Sequence, residues 1–260
     1  MKSANYPEAV VFKSVSKSFG TVKAVKELDL KVKAGCVYGL LGPNGSGKST
    51  TMKMMMGLLK PDHGKISVYG IDPQRNPIEV KKIVGYVPES PRLYEFLTGL
   101  EYLDFIADVY GLDAQTKKMR IEEFLEAFEL DGRENEMISG YSHGMKQKIA
   151  IIAALLHRPK LLVLDEPLGG LDPKSARIVK DVIHKLANDG VTTIMSTHVL
   201  EIADAVCDRI AILYQGEKLA EGTSAELREK AQMPNSTLEE VFLKLTGTND
   251  IKEVVEALVK

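Results

Sequence analysis

From residue 10 to residue 32, apolar and polar side chains alternate loosely, with a break at Phe19-Gly20. A period of two is that of a strand buried on one face, so the segment predicts antiparallel strands parted at the glycine. An unbroken apolar run over 36–41 predicts a buried strand, with the antiparallel strands expected beside it. Pro61-Asp62-His63-Gly64 has turn composition, and 64–69 behind it reads as another short strand.

Past residue 98 the period changes to that of helices. Thr98 and Glu101 form a capping box ahead of Leu103, Phe105, Ile106 and Val109, and Gly111 is placed to end that helix. Ile121, Phe124, Leu125 and Phe128 predict a second amphipathic helix, and 146–156 a third, stopped by Pro159. Strand signals resume at 161–164, 192–196 and 209–213, with a helix opening at Pro173 between the first two. The order predicts a mainly parallel α/β sheet interrupted by a helical insert at about 90–158, with its ligand at the strands' carboxyl ends. Ser236 and Glu239 make a further capping box for a helix reaching about Leu245. The expected organisation is one domain over 1–247 and a short amphipathic helical tail over 248–260.

Composition narrows the function. A chain of 260 residues with 44% hydrophobic content can bury a full core, and no internal repeat divides it. A net charge of −2 argues against non-specific nucleic-acid binding. Cys36 and Cys207 lie in no metal-ligand spacing and read as small core residues. Residues 1–8 lack a secretory pattern, and the longest apolar run, 149–156, falls far short of the ~20 residues that cross a bilayer. Membrane association is therefore expected only through a partner.

The chemistry is concentrated in a few places. Gly42-Pro43-Asn44-Gly45-Ser46-Gly47-Lys48-Ser49-Thr50 follows the 36–41 strand and is a G-x-x-x-x-G-K-[ST] phosphate loop. Its glycines let backbone N–H groups approach a phosphate, Lys48 brings a charge to the β- and γ-phosphates, and the Ser49 hydroxyl can bind Mg²⁺. The chain is thus expected to bind a nucleoside triphosphate. The strand at 161–164 ends in Asp165-Glu166-Pro167, which suits a metal-binding carboxylate beside a water-polarising one. His198 follows the strand at 192–196 and is placed to contact the γ-phosphate or orient water. Ser142, ahead of a helix, is a candidate N-cap, and with Gly144 it makes a second anion site. Nothing points to a metal role for His63, His143, His157 or His184.

Taken together, these motifs resemble the ATP-binding cassette (ABC) ATPases of ABC transporters through about Gly247. The phosphate loop is similar to the family's Walker A motif, and the 161–167 segment to its Walker B motif with a catalytic glutamate. Ser142 and Gly144 stand where the signature lies, Gly170-Leu171-Asp172 where the D-loop lies, His198 at the switch histidine, and Phe19 at the aromatic that stacks on adenine. The resemblance implies a P-loop NTPase core of RecA-like type with an antiparallel β subdomain and an inserted α-helical subdomain. It also implies ATP and Mg²⁺, hydrolysis in a head-to-tail dimer of this chain or a relative, and a separate multi-span membrane permease at the cytoplasmic face of the membrane.

Two departures stand out. The signature reads Tyr-Ser-His-Gly-Met where the common form is Leu-Ser-Gly-Gly-Gln, and Glu89 replaces the usual Q-loop glutamine. A carboxylate at 89 can still bind Mg²⁺ but adds negative charge beside Asp165 and Glu166. Both departures resemble ATPases of drug, antibiotic-peptide and sodium efflux systems, so an exporter is expected. Pro91, Leu93, Tyr94, Phe96 and Leu97 leave two readings of the next loop: packing beneath the insert, or a groove for a permease helix, as the resemblance implies. A soluble cassette ATPase acting on nucleic acid or ribosomes is the alternative, but such proteins tend to have two cassettes, coiled-coil insertions or basic surfaces. A kinase or GTPase sharing the loop would leave the signature and D-loop unexplained, and no Asn-Lys-x-Asp guanine-reading sequence occurs.

Overall fold

The computed structural model describes residues 8–247, so the expected tail helix over 248–260 lies outside the described residues. Strands β1 (Glu8–Phe19) and β2 (Val22–Lys33) pair antiparallel and part at Gly20. After β3 (Val37–Leu41) and α1 (Lys48–Met55), β4 (His63–Val68) pairs with the free side of β1. These antiparallel strands form their own sheet, ordered β2-β1-β4, and do not hydrogen-bond to β3 as neighbours. They lie face-on to β3 instead: Phe12, Val15, Leu28 and Leu30 share one core with Tyr38, Leu40, Met52 and Met55. The expectation of strands beside the nucleotide strand is met by stacking, because the buried face of each sheet needs an apolar layer.

Next come α2 (Pro77–Ile83) and the four-residue β5 (Val84–Val87), neither of them marked by a clear period in the sequence. The insert then supplies α3 (Gly99–Val109), α4 (Ala114–Ala127), a short 3₁₀ turn and α5 (His143–Leu155). Thr98 and Glu101 make the predicted capping box, with Glu101 N donating to Thr98 Oγ1 and Thr98 N to Glu101 Oε2. The helix α5 starts three residues before the apolar period does, because Ser142 caps it. The ring of Tyr110, which ends α3, stacks on His157 with centroids 3.8 Å apart and joins the insert to the segment leading back into the core. Burial there pushes the His157 pKa down to about 4, so the stack is made by a neutral imidazole.

The chain re-enters the sheet through β6 (Leu161–Asp165), α6 (Pro173–Asn188), β7 (Thr192–Thr197), α7 (Leu200–Val206), β8 (Arg209–Tyr214) and β9 (Glu217–Gly222). Helices α8 (Ser224–Lys230) and α9 (Leu238–Thr246) follow. Strand order is β5-β6-β7-β3-β8-β9, parallel throughout except for the β8–β9 hairpin. Along β6, Leu161 and Val163 face the core under the antiparallel sheet, while Leu162 and Leu164 face the core shared with the insert and α6. Burial on both faces explains why these strands read as unbroken apolar runs.

One boundary differs from expectation. The capping box of α9 is Thr237 with Glu240, not Ser236 with Glu239. Both pairs fit the pattern; the Thr237 pair is the one that hydrogen-bonds, ahead of Leu238 and Val241, which are buried with Leu41, Ile210 and Ile212.

Gly85 in β5 sits where α5 ends: a Cβ there would stand 2.3 Å from Ala154 O and 3.1 Å from Pro159 Cγ. Gly85→Ala is expected to push the insert off the sheet and cost about 1–3 kcal/mol of stability. At Gly140 a Cβ meets nothing within 4 Å, so Gly140→Ala serves as the control. Equal melting temperatures for the two variants would show that the insert does not bear on β5 at this point.

Candidate functional site

The phosphate loop is shaped by its backbone. Gly45 (φ +81°) and Gly47 (φ +103°) adopt left-handed conformations that favour glycine. At Gly47 space also decides, since a Cβ would stand 2.5 Å from Ala24 O. No side chain caps α1, so the N–H groups of its first turn, at the positive end of the helix dipole, are left for an anion. Lys48 is folded back over the loop: Nζ donates to Gly42 O at 2.7 Å and to Pro43 O at 3.2 Å, and lies 3.9 Å from Glu166 Oε1. Burial lowers the Lys48 pKa, while Glu166, Asp165 and Glu89 pull it back up.

Parallel pairing of β6 with β7 sets Asp165 opposite Ser196. The Ser196 hydroxyl donates to Asp165 Oδ1 and accepts from Glu166 N at 3.0 Å, fixing both acidic residues from one buried oxygen. Glu166 stands just past the strand end at φ +49°, a left-handed conformation uncommon for a side-chain-bearing residue and often found where function imposes strain. That turn frees its side chain from the strand's alternation. Its Oε1 lies 3.0 Å from His198 Nδ1, but no well-aligned hydrogen bond satisfies it, and it is buried.

An open cleft of about 360 Å³ gathers these groups, with Phe19 at its edge, Asn44 to Thr50 along one side, and Glu89, Asp165 and Glu166 on the other. The Phe19 ring is half exposed, with Lys17 Nζ lying over it 5.6 Å from its centroid. Ser49, Asp165 and Glu89 supply hard oxygen donors to one space, which fits Mg²⁺. Among the described residues, no three His, Cys, Asp or Glu side chains make a metal site by themselves. The donor set therefore suits an ion whose shell is completed by phosphate oxygens and water.

Of the other candidates, Gly42 and Pro43 lead into the loop and His198 touches Glu166 without lining the cleft, while Ser142, Gly144 and Asp172 are not brought to it. Ser142 caps α5 on an exposed turn and accepts from Met145 N at 3.2 Å, with Gly144 beside it. Asp172 caps α6, accepting from Lys174 N and Ser175 N at 3.0 Å, and its hydrogen bonds to Ser175 hold its pKa below the usual carboxylate range. The helix start expected from the sequence to be a second anion site therefore does not line the cleft.

A family model described as ABC transporter matches residues 25–169. The chain belongs to that family. It is 38% identical to the linearmycin resistance ATP-binding protein LnrL of Bacillus subtilis (strain 168), over 92% of this chain and 80% of that protein. Its fold is similar to a solved ATP-binding subunit of an ABC transporter, with TM-score 0.87, 33% identity, and coverage of 92% of this chain and 99% of the other. It is also similar to a dimeric ATP-binding cassette in a post-hydrolysis state bound to ADP and Pi, with TM-score 0.76, 29% identity, and coverage of 82% and 98%.

Within this ABC transporter ATP-binding subunit, sequence reasoning missed Ser196. The residue reads as an ordinary strand position, and only the register of β6 against β7 reveals that it holds Asp165 and Glu166. Ser196→Ala leaves a buried carboxylate oxygen and an N–H without their partner, at a cost of about 1–3 kcal/mol. A lower melting temperature and a slower ATPase rate are both expected. Unchanged values of both would show that the hydroxyl positions nothing.

Proposed function

We propose that this subunit hydrolyses ATP to ADP and phosphate in a head-to-tail dimer and so drives a separate membrane permease that exports its substrate. The observation that carries the reading is Glu166: its unsatisfied Oε1 is aimed between Lys48 and His198 beside the cleft. In the reaction, Glu166 takes a proton from the attacking water as the new O–P bond forms at the γ-phosphorus. The bond to the β-γ bridging oxygen breaks, and its electron pair leaves with ADP. His198 orients the carboxylate and reaches the γ-phosphate, while Lys48 and the first-turn amides of α1 neutralise the transferring group. Bound Mg²⁺ supplies further charge neutralisation on the phosphates, with Ser49 and Asp165 as its protein ligands and Glu89 alongside. Phe19 stacks on the base. Residues 1–247 form the ATPase domain, and 248–260 a tail.

The dimer is supported by the distance of Ser142, Gly144 and Asp172 from the protomer's own cleft. An exposed helix start with an anion-binding turn has its target in a second copy or a related ATPase, and a similar cassette is dimeric. Export is supported by the resistance function in the name of the Bacillus relative. No helix among the described residues is long and apolar enough to cross a membrane, so attachment to the cytoplasmic face is assigned to the permease.

The loop after β5 divides between the two readings open at the sequence level. Leu93 packs against the core of the insert, whereas Tyr94 is 49% exposed and Phe96 72%. Tyr94 meets Phe96 and Phe105 at centroid distances of 5.8 Å, making an exposed aromatic ridge. Beside the ridge runs an apolar groove of about 290 Å³ floored by Tyr86, Leu93, Ile106, Ala150 and Ala153. Aromatic anchors next to an apolar groove suit a helix from a partner. Lys146 Nζ bonds Glu95 at 2.6 Å, tying this loop to the signature-bearing helix α5.

Glu166→Gln is expected to keep ATP binding, lower turnover by about 10²–10⁴-fold, and accumulate an ATP-bound dimer in gel filtration. Turnover close to wild type would falsify the role of Glu166. Replacing Tyr94 and Phe96 with Ser is expected to abolish co-purification with the permease while the melting temperature stays within about 2 °C. A large drop in melting temperature with the permease still bound would instead place these rings in the core.

A further inference from the structure

The segment from Glu166 to Asp172 links the acidic end of β6 to α6, and the start of α5 presses on it from outside. Gly170 has φ +72°, and a Cβ on it would stand 2.4 Å from His143 Cδ2 and 2.9 Å from His143 Nε2. The next nearest atom, at 3.6 Å, is also in that imidazole. The ring therefore occupies the space that any side chain at 170 would need. One residue on, the Cβ position of Gly144 is at ordinary contact distance from Gly170 O and Leu171 Cδ2, 3.7 and 3.8 Å. One turn on, Gln147, only 1% exposed, donates from Nε2 to Pro167 O at 3.3 Å. The helix thus holds the segment at two points: an amide near Glu166 and a ring near Asp172.

His143 is itself exposed, so its ring fills no core cavity. The sequence gives it a distinctive place, since the signature resembled here commonly has glycine at this position. A ring on an exposed helix start, laid where a side chain at Gly170 would meet it unless the ring moved away, is a steric fit between two particular residues.

We propose that His143 is a positioning residue that clasps the signature end of α5 to the segment carrying Glu166. On the dimer reading above, on which this rests, Ser142 and Gly144 act on the partner's nucleotide while Glu166 acts on the protomer's own. The clasp holds these two working ends at one spacing. Only three residues separate Glu166 from Gly170, so a shift at the ring reaches the carboxylate with little slack in between. Loss of the clasp acts on turnover, not on capture of ATP by the phosphate loop.

The test uses the full chain as wild type, His143→Gly, Gly170→Ala and the double variant. Gly170→Ala drives a methyl group into the ring and is expected to lower kcat by about tenfold or more, as misplacements on the order of 1 Å do. Binding of a fluorescent ATP analogue should be unchanged. In the double variant the space is empty, and kcat should return to within about threefold of wild type, the non-additivity expected of residues in contact. A double variant as slow as Gly170→Ala overturns the clasp, since the damage then comes from the left-handed backbone alone. Wild-type turnover in Gly170→Ala overturns it as well.

His143→Gly covers the case in which Gly170→Ala does not fold. It should lower kcat severalfold with its melting temperature and analogue affinity unchanged, and unaltered kcat overturns the proposal. Thermal unfolding separates this result from the hydrolysis reading. Gly170→Ala should lower the melting temperature more when His143 is present than when residue 143 is Gly. Equal losses overturn the clasp whether or not the chain hydrolyses ATP, whereas a wild-type chain without ATPase activity overturns only the hydrolysis reading.

Discussion

Parallel pairing of β6, β7 and β3 is the constraint on which the site depends. Leu41 lies opposite Thr197 and Asp165 opposite Ser196, so all three strands end at one level. The phosphate loop, the paired carboxylates and the turn to His198 leave from those ends, which is where an open α/β sheet presents its ligand. Two apolar layers hold the strands in that register: the antiparallel sheet with α1 on one face, and the insert with α6 on the other. A slip of one residue would exchange the faces of each strand and separate Asp165 from Ser196.

Charge within this frame is weighted to the negative side. Lys48 is buried beside three carboxylates, and it is satisfied by two carbonyls of its own loop. Glu166 carries the opposite condition, a strained backbone and a buried oxygen without a well-aligned donor. Such a group costs free energy in the folded chain.

The two ends of the insert face different tasks. Its aromatic ridge and groove lie at the loop after β5, and its capped helix start lies against the segment that follows Glu166. Both contacts come from the first turn of α5, where Lys146 bonds Glu95 and His143 lies over Gly170.

The residues that sequence alone made legible are those whose signal is local. The phosphate loop is a contiguous pattern, the Thr98 box spans three residues, and buried parallel strands read as apolar runs because both faces are covered. Tertiary structure decided what depends on partners distant in the chain. It placed the antiparallel strands in a separate stacked sheet, and it added β5, which is too short to carry a period. It placed the cap at Thr237, not Ser236, ahead of the helix that buries Leu238 and Val241. It turned Tyr94 and Phe96 outward while Leu93 went inward, a division that dense apolar spacing in a loop does not encode. Ser196 and His143 gained their partners 30 and 27 residues away in sequence, respectively, through strand register and helix packing, and no local pattern reports either.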